Sequence, residues 1–133
     1  MNTEQKNVIS LEGKQVLVVD DDPIQLLSIR HMINDTGCRI IESDDPRRVL
    51  DIIKRQQIDL IILDVMMPSM SGWEVFQKIR ETSRYRETPV IFLTALVRKE
   101  EEEQFNQQRD FYRVLAKPVE MDCLLPAIEE LLS

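Results

Sequence analysis

Glycine is scarce in this chain of 133 residues, with three in all. A loop that cradles phosphate through bare backbone, of the GxGxxG or GxxxxGK[ST] kind, needs more than that. Neither pattern occurs, so nucleotide binding by a Gly-rich loop is excluded. Cys38, Cys123 and His31 are the only cysteines and histidine. They offer no clustered soft or imidazole ligands for zinc. The two cysteines lie far apart in apolar or helical contexts, and are expected as buried, reduced thiols of a cytoplasmic protein. His31 falls in a predicted helix with no partner visible in sequence, and is expected to face solvent rather than to donate a phosphoryl group. Long apolar runs are missing, and none reaches the roughly 18 residues of a helical membrane span. The first residues, MNTEQKNVISLEGK, lack the apolar middle of a secretory leader. A cytoplasmic location, away from membranes, is the expectation. Positive charge is in deficit, 17 Lys and Arg against 24 Asp and Glu, for a net charge of −7. That balance argues against direct contact with nucleic acid, whose phosphates attract clustered cations.

What is present is a core. Hydrophobic residues make up 43 % of the chain, enough for one domain to fold. Residues 1–13 read as a flexible lead-in and residues 14–132 as a single domain. Short apolar runs alternate with segments of helical period. The runs are QVLVV (15–19), CRIIES (38–43), DLIIL (59–63), PVIFLT (89–94) and FYRVLA (111–116). They are continuous rather than alternating in polarity, as parallel strands covered on both faces should be. Helices are predicted over about 23–35, 46–56, 72–82, 97–108 and 119–132. Their apolar stripes are Ile24, Leu27, Met32 and Ile33, then Val49, Leu50 and Ile53, then Val75, Phe76 and Ile79, and in the last Leu124, Leu125, Ile128 and Leu131. The acidic run Glu100–Glu103 suits a solvated helix near its N-terminus. Strict β-α alternation implies an α/β fold, an open parallel sheet with helices on both faces and right-handed crossovers. In such sheets ligands bind beyond the carboxyl ends of the strands.

Those ends carry the chemistry. VLVVDDDP sends four apolar residues straight into Asp20, Asp21 and Asp22, with Pro23 next. Asp64 follows the third run, Thr94 ends the fourth, and Lys117 with Pro118 follows the fifth. Asp22 before Pro23 reads as a helix cap and is set aside. The remaining acids, the hydroxyl and the lysine converge on one edge of one sheet. Two carboxylates about 4 to 5 Å apart repel by roughly 3 to 4 kcal/mol at an effective dielectric of 20. Three such pairs approach the stability of a whole domain. A proton relieves part of this by raising one pKa, and a hard divalent cation relieves more. All-oxygen ligands favour Mg²⁺ or Mn²⁺ over zinc. With Lys117 and Thr94 beside it, the site becomes a cradle for a transferred phosphoryl group. Asp64, at a strand end before the loop MMPSMSG, is the expected acceptor. Met66, Met67 and Met70 are expected to pack that loop over the sheet, and Trp73 to pack locally near the site.

VLVVDDDP, LIILDVMMPSMSG, VIFLTA and LAKP, in this order and at these spacings, resemble the four signature segments of the response regulator receiver domain. The resemblance covers about residues 14–132. It implies a flavodoxin-like (βα)5 doubly wound sheet with strand order 2-1-3-4-5. It implies that Asp64 is phosphorylated by a sensor histidine kinase or a histidine phosphotransfer protein. By the same resemblance, Asp21, Asp64 and the backbone carbonyl of Met66 would ligate Mg²⁺, and Asp20 would reach it through water. Thr94 and Lys117 would contact the phosphoryl oxygens, and the Lys117–Pro118 bond would be cis. Output would pass to a downstream protein target, and a phosphorylation-dependent homodimer is allowed. The chain would catalyse only its own phosphorylation and dephosphorylation, and would not be an enzyme acting on a small molecule.

Three positions individualise the chain. Val114 stands where the family often has Tyr or Phe; Tyr112, two residues earlier, either substitutes or is a packed aromatic. Met66 and Leu96 stand where the family flanks the hydrolytic water, which implies slow autodephosphorylation, since neither side chain can orient water. Two rival readings remain. A phosphatase with an Asp nucleophile would usually carry a second acid at position 66. A degenerate scaffold would keep the fold without phosphorylation. The segment is either a stand-alone regulator or a receiver from a longer protein.

Overall fold

The computed structural model describes residues 9–98, 100, 102 and 111–133. Five parallel strands are present: β1 (Gln15–Val19), β2 (Arg39–Ser43), β3 (Leu60–Asp64), β4 (Val90–Thr94) and β5 (Tyr112–Ala116). They pair in the order β2-β1-β3-β4-β5. The helices among the described residues are α1 (Pro23–Ile33), α2 (Val49–Arg55), α3 (Gly72–Glu81) and α4 (Met121–Leu132). The helix expected over 97–108 lies largely outside the described residues, as does most of the lead-in. Of the latter, Leu11 is buried, and its N–H donates to the carbonyl of Thr36 at 2.7 Å.

Two cores, one on each face of the sheet, account for the doubly wound arrangement. On one face Leu17, Val19, Ile61, Leu63, Phe92 and Val114 meet Val49 and Ile53 of α2 and Val75 and Ile79 of α3. On the other, Val16, Val18, Leu60, Ile62, Ile91 and Leu93 meet α1 and α4 through Leu26, Ile29, Ile33, Leu124 and Ile128. Successive strand residues point to opposite faces. A run such as LIIL in β3 is therefore buried from both sides at once, and all five residues of that strand are buried.

The buried stripe of α1 corrects the sequence expectation. Leu26, Ile29 and Ile33 face the core, whereas Ile24 and Leu27 are 76 % and 54 % exposed. Both sets satisfy helical spacing, so periodicity alone could not choose between them. The cysteines also differ from expectation. Both are free, as expected, but each is half-buried rather than buried.

Local chemistry fixes several element ends. Asp22 caps α1, its Oδ1 accepting from the N–H of Ile24 at 2.9 Å, as its place before Pro23 predicted. The helix expected from 46 starts instead as one 3-10 turn, Pro46–Arg48, and becomes α-helical at Val49. Asp45 caps that turn; its hydrogen bond and ion pair with Arg47 hold its carboxyl down at about 2. A 3-10 turn, Asn34–Thr36, follows α1 and ends at Gly37 with φ 87, a left-handed conformation that suits glycine. Ser71 and Glu74 form a reciprocal capping box at the start of α3. The Lys117–Pro118 bond is cis.

Candidate functional site

The parallel register brings the strand ends level. Val19 pairs with Leu63, so Asp20 and Asp64 leave neighbouring strands at the same height. Asp64 pairs with Leu93 on β4, and Thr94 pairs with Ala116 on β5. Lys117 follows directly, its N–H donating to the carbonyl of Thr94 at 3.0 Å. The five polar residues expected to converge therefore lie along one rim. Met66 is part of the same loop, although its side chain is 59 % exposed rather than packed over the sheet. Met67 is buried and Met70 partly so.

Asp20, Asp21 and Asp64 each offer a carboxylate oxygen, and these oxygens lie within 4.8 Å of one another. Asp20 and Asp64 are buried, at 1 % and 2 % exposure, while Asp21 faces solvent. Lys117 Nζ lies 2.8 Å from Asp64 Oδ1 and 3.7 Å from Asp20 Oδ2. One ammonium thus stands against three carboxylates, and the balance is incomplete. Burial, opposed by the hydrogen bond from the N–H of Asp22 and reinforced by the charge of Asp64, raises Asp20 to about 6. Burial by itself would lower the pKa of Lys117. The hydrogen bond to Asp64 and the surrounding carboxylate charges outweigh it, and the net shift is upward.

Asp20 Oδ2 is buried and has no hydrogen-bond partner. An orphaned buried carboxylate oxygen is costly. Together with the all-oxygen donor set and residual negative charge, it fits a hard divalent cation such as Mg²⁺. Thr94 is buried, and its Oγ1 accepts from the N–H of Leu96 at 3.0 Å, which leaves the hydroxyl proton available to donate. Tyr112 packs edge-on against Phe76 and Phe92, with centroids 5.8 and 5.9 Å away, while Val114 is buried. Of the two roles open to Tyr112, the packed aromatic is the one observed. Trp73 sits 4.2 Å from the Phe92 ring and remains 46 % exposed. His31 is exposed. The sequence reading passed over Gly72, which is buried directly against the backbone of Asp64. The one signal for it is a lone glycine between a strand-end acid and a helix.

Known proteins resemble this chain in sequence and in fold. The family model described as the response regulator receiver domain matches residues 16–129. An uncharacterized 14.6 kDa protein of Leptolyngbya boryana is 34 % identical over 111 residues, 84 % of either chain. The polar-differentiation response regulator DivK of Brucella anthropi is 28 % identical over 120 residues, which cover 90 % of this chain and 97 % of that one. Among solved structures, chemotaxis protein CheY4 of Vibrio cholerae superposes with a TM-score of 0.76 at 29 % identity, covering 90 % of this chain and 98 % of the other. The receiver domain of a sensor histidine kinase from Pseudomonas aeruginosa matches at the same TM-score, 0.76, with 27 % identity and coverage of 90 % and 98 %. That structure carries a magnesium ion coordinated in its active-site cleft.

Proposed function

The chain belongs to the response regulator receiver domain family of two-component signalling, and from that membership we propose that Asp64 is its phosphoacceptor. The donor is the phosphohistidine of a sensor histidine kinase or of a histidine phosphotransfer protein. The observation that carries this reading is the 2.8 Å pairing of Lys117 with Asp64 beside two further carboxylates. In the transfer, a carboxylate oxygen of Asp64 forms a bond to phosphorus as the N–P bond of the donor breaks, and the electron pair returns to the imidazole. Lys117 holds the reactive carboxylate in place and meets the incoming negative charge. Thr94 donates its free hydroxyl proton to a phosphoryl oxygen. The buried walls around Asp20 and Asp64 keep water away and so strengthen both contacts.

Asp21, Asp64 and the carbonyl of Met66 are the residues that would hold Mg²⁺, with Asp20 reaching it through water. When bound, the ion supplies charge neutralisation for the carboxylates and for the phosphoryl oxygens. Phosphorylation then alters how the domain binds a downstream protein or a second copy of itself. The chain acts in the cytoplasm, with residues 14–132 as the working unit.

Incubation with acetyl phosphate and Mg²⁺ tests this reading. The expected result is one acid-labile phosphoryl group per chain, absent in Asp64→Asn. Repeated turnover of phosphate esters would instead mark an Asp-nucleophile phosphatase, and no reaction a degenerate scaffold.

A further inference from the structure

Gly72 opens α3 and is buried. A Cβ built on it would fall on the carbonyl oxygen of Asp64. It would also lie 3.0 Å from Val65 Cα and 3.1 Å from the carbonyl carbon of Asp64. These are backbone atoms of the reactive residue and its neighbour, and they cannot swing aside as the tip of a long side chain can. Gly72 does not have a positive φ, unlike Gly13 and Gly37. Glycine is therefore required here for space and not for conformation.

Two main-chain hydrogen bonds hold the contact, and a capping box beside it fixes only the helix end. The N–H of Gly72 donates to the carbonyl of Val65 at 2.9 Å, and the N–H of Val65 donates to the carbonyl of Leu93 at 3.0 Å. One residue earlier, Ser71 Oγ accepts from the N–H of Glu74 at 3.2 Å, and the Glu74 carboxylate accepts from the N–H of Ser71 at 3.1 Å. The first turn of α3 is thus pressed directly on the main chain of Asp64.

From this seat we infer that Gly72 is a positioning residue for the phosphoryl chemistry. Its bare Cα lets α3 rest on the Asp64–Val65 backbone, which sets the aim of the Asp64 carboxylate and the path of the chain into Met66. The inference rests on the reading of Asp64 as phosphoacceptor and adds a residue that touches neither donor nor metal. A methyl group at position 72 must either push Asp64 and Val65 away or lift the start of α3. Asp20 and Lys117 belong to other strands and do not follow that motion. The 2.8 Å contact of Lys117 with Asp64 and the meeting of the three carboxylates then lose register.

The test compares Gly72→Ala with Ser71→Ala. The second change breaks the capping box and lowers Tm, but adds no atom near Asp64. Mg²⁺ alone is titrated and followed by amide NMR, and the phosphorylation rate is measured with acetyl phosphate. Gly72→Ala is expected to lower both Mg²⁺ affinity and rate by about tenfold or more, as small misplacements of reacting groups do. Ser71→Ala is expected to keep both within about twofold while losing thermal stability. Equal Mg²⁺ affinity and rate in the two variants would overturn the role of Gly72. A wild-type chain that accepts no phosphoryl group overturns this inference together with the reading beneath it, which sets that failure apart. If Gly72→Ala does not fold, Mg²⁺ titration of the wild-type protein decides. The Gly72 and Val65 amide resonances must then move with that of Met66, and an unmoved Gly72 overturns the inference.

Discussion

Asp20 shows how one buried carboxylate couples the site to stability. Its folded pKa of about 6 lies above the unfolded 3.8. The fold therefore favours the protonated form. The stability tied to Asp20 is full below pH 3.8 and is lost as pH rises through about 6. Two pKa units correspond to about 3 kcal/mol at the upper bound. In chelator-treated protein, Asp20→Asn should therefore unfold at a higher temperature than wild type at pH 7, with the gap closing towards pH 4. A gap that does not change with pH would contradict the assignment. A second prediction concerns the exposed side chains of Met66 and Leu96, at 59 % and 69 %. Neither offers a useful donor or acceptor to hold an attacking water. Phosphorylated protein freed of donor should decay slowly with no phosphatase present, and a lifetime of only seconds would contradict this. At this scale the site was legible because Asp20, Asp21, Asp64, Thr94 and Lys117 all sit at or just beyond the carboxyl ends of strands. Gly72 was marked only by its place between a strand-end acid and a helix, because its role is to leave room and it brings no reactive group of its own.

The helices separate into those whose register the sequence settles and those where packing must choose. In α3, Val75 and Ile79 form the one apolar line, and both are buried. In α1 two apolar lines compete, and only the approach of β1 and α4 selects Leu26, Ile29 and Ile33. The strand runs were placed to within one residue, since long runs of Val, Ile and Leu bounded by charge admit little shift. The start of α2 was less readable, because Asp45 and Pro46 open a 3-10 turn with the same residues that would open an α-helix. α4 carries Pro126 in its interior, exposed to solvent. Proline there removes an N–H and crowds the carbonyl four residues earlier, that of Asp122. Pro126→Ala should stabilise the protein by about 1–2 kcal/mol, after allowing for the freer unfolded chain. Urea unfolding measures it, and a midpoint unchanged or lower would show that the helix has adapted to the proline.

Across the whole molecule, the sheet is both the core and the device that assembles the site. Phe92 is fully buried on β4 and touches the rings of Trp73, Phe76 and Tyr112, which joins α3 to β5 beneath the reactive rim. Phe92→Ala should cost about 3–5 kcal/mol of stability, read from chemical denaturation, because it removes a large, fully buried ring from the core. The strand order was legible as a whole once the four segments resembled a known family. From alternation alone a parallel sheet followed, but the position of β2 at the edge beside β1 did not. The architecture places the acids of β1 and β3 next to the lysine after β5, although these residues are spread from position 20 to position 117 of the sequence. The central claim is that this convergence makes Asp64 the residue that carries phosphate. Borohydride reduction of protein treated with acetyl phosphate and Mg²⁺ converts an acyl phosphate into the corresponding alcohol, and peptide mapping locates it. The account predicts the reduced residue at position 64 and nowhere else; label at another residue, or none at all, would contradict it.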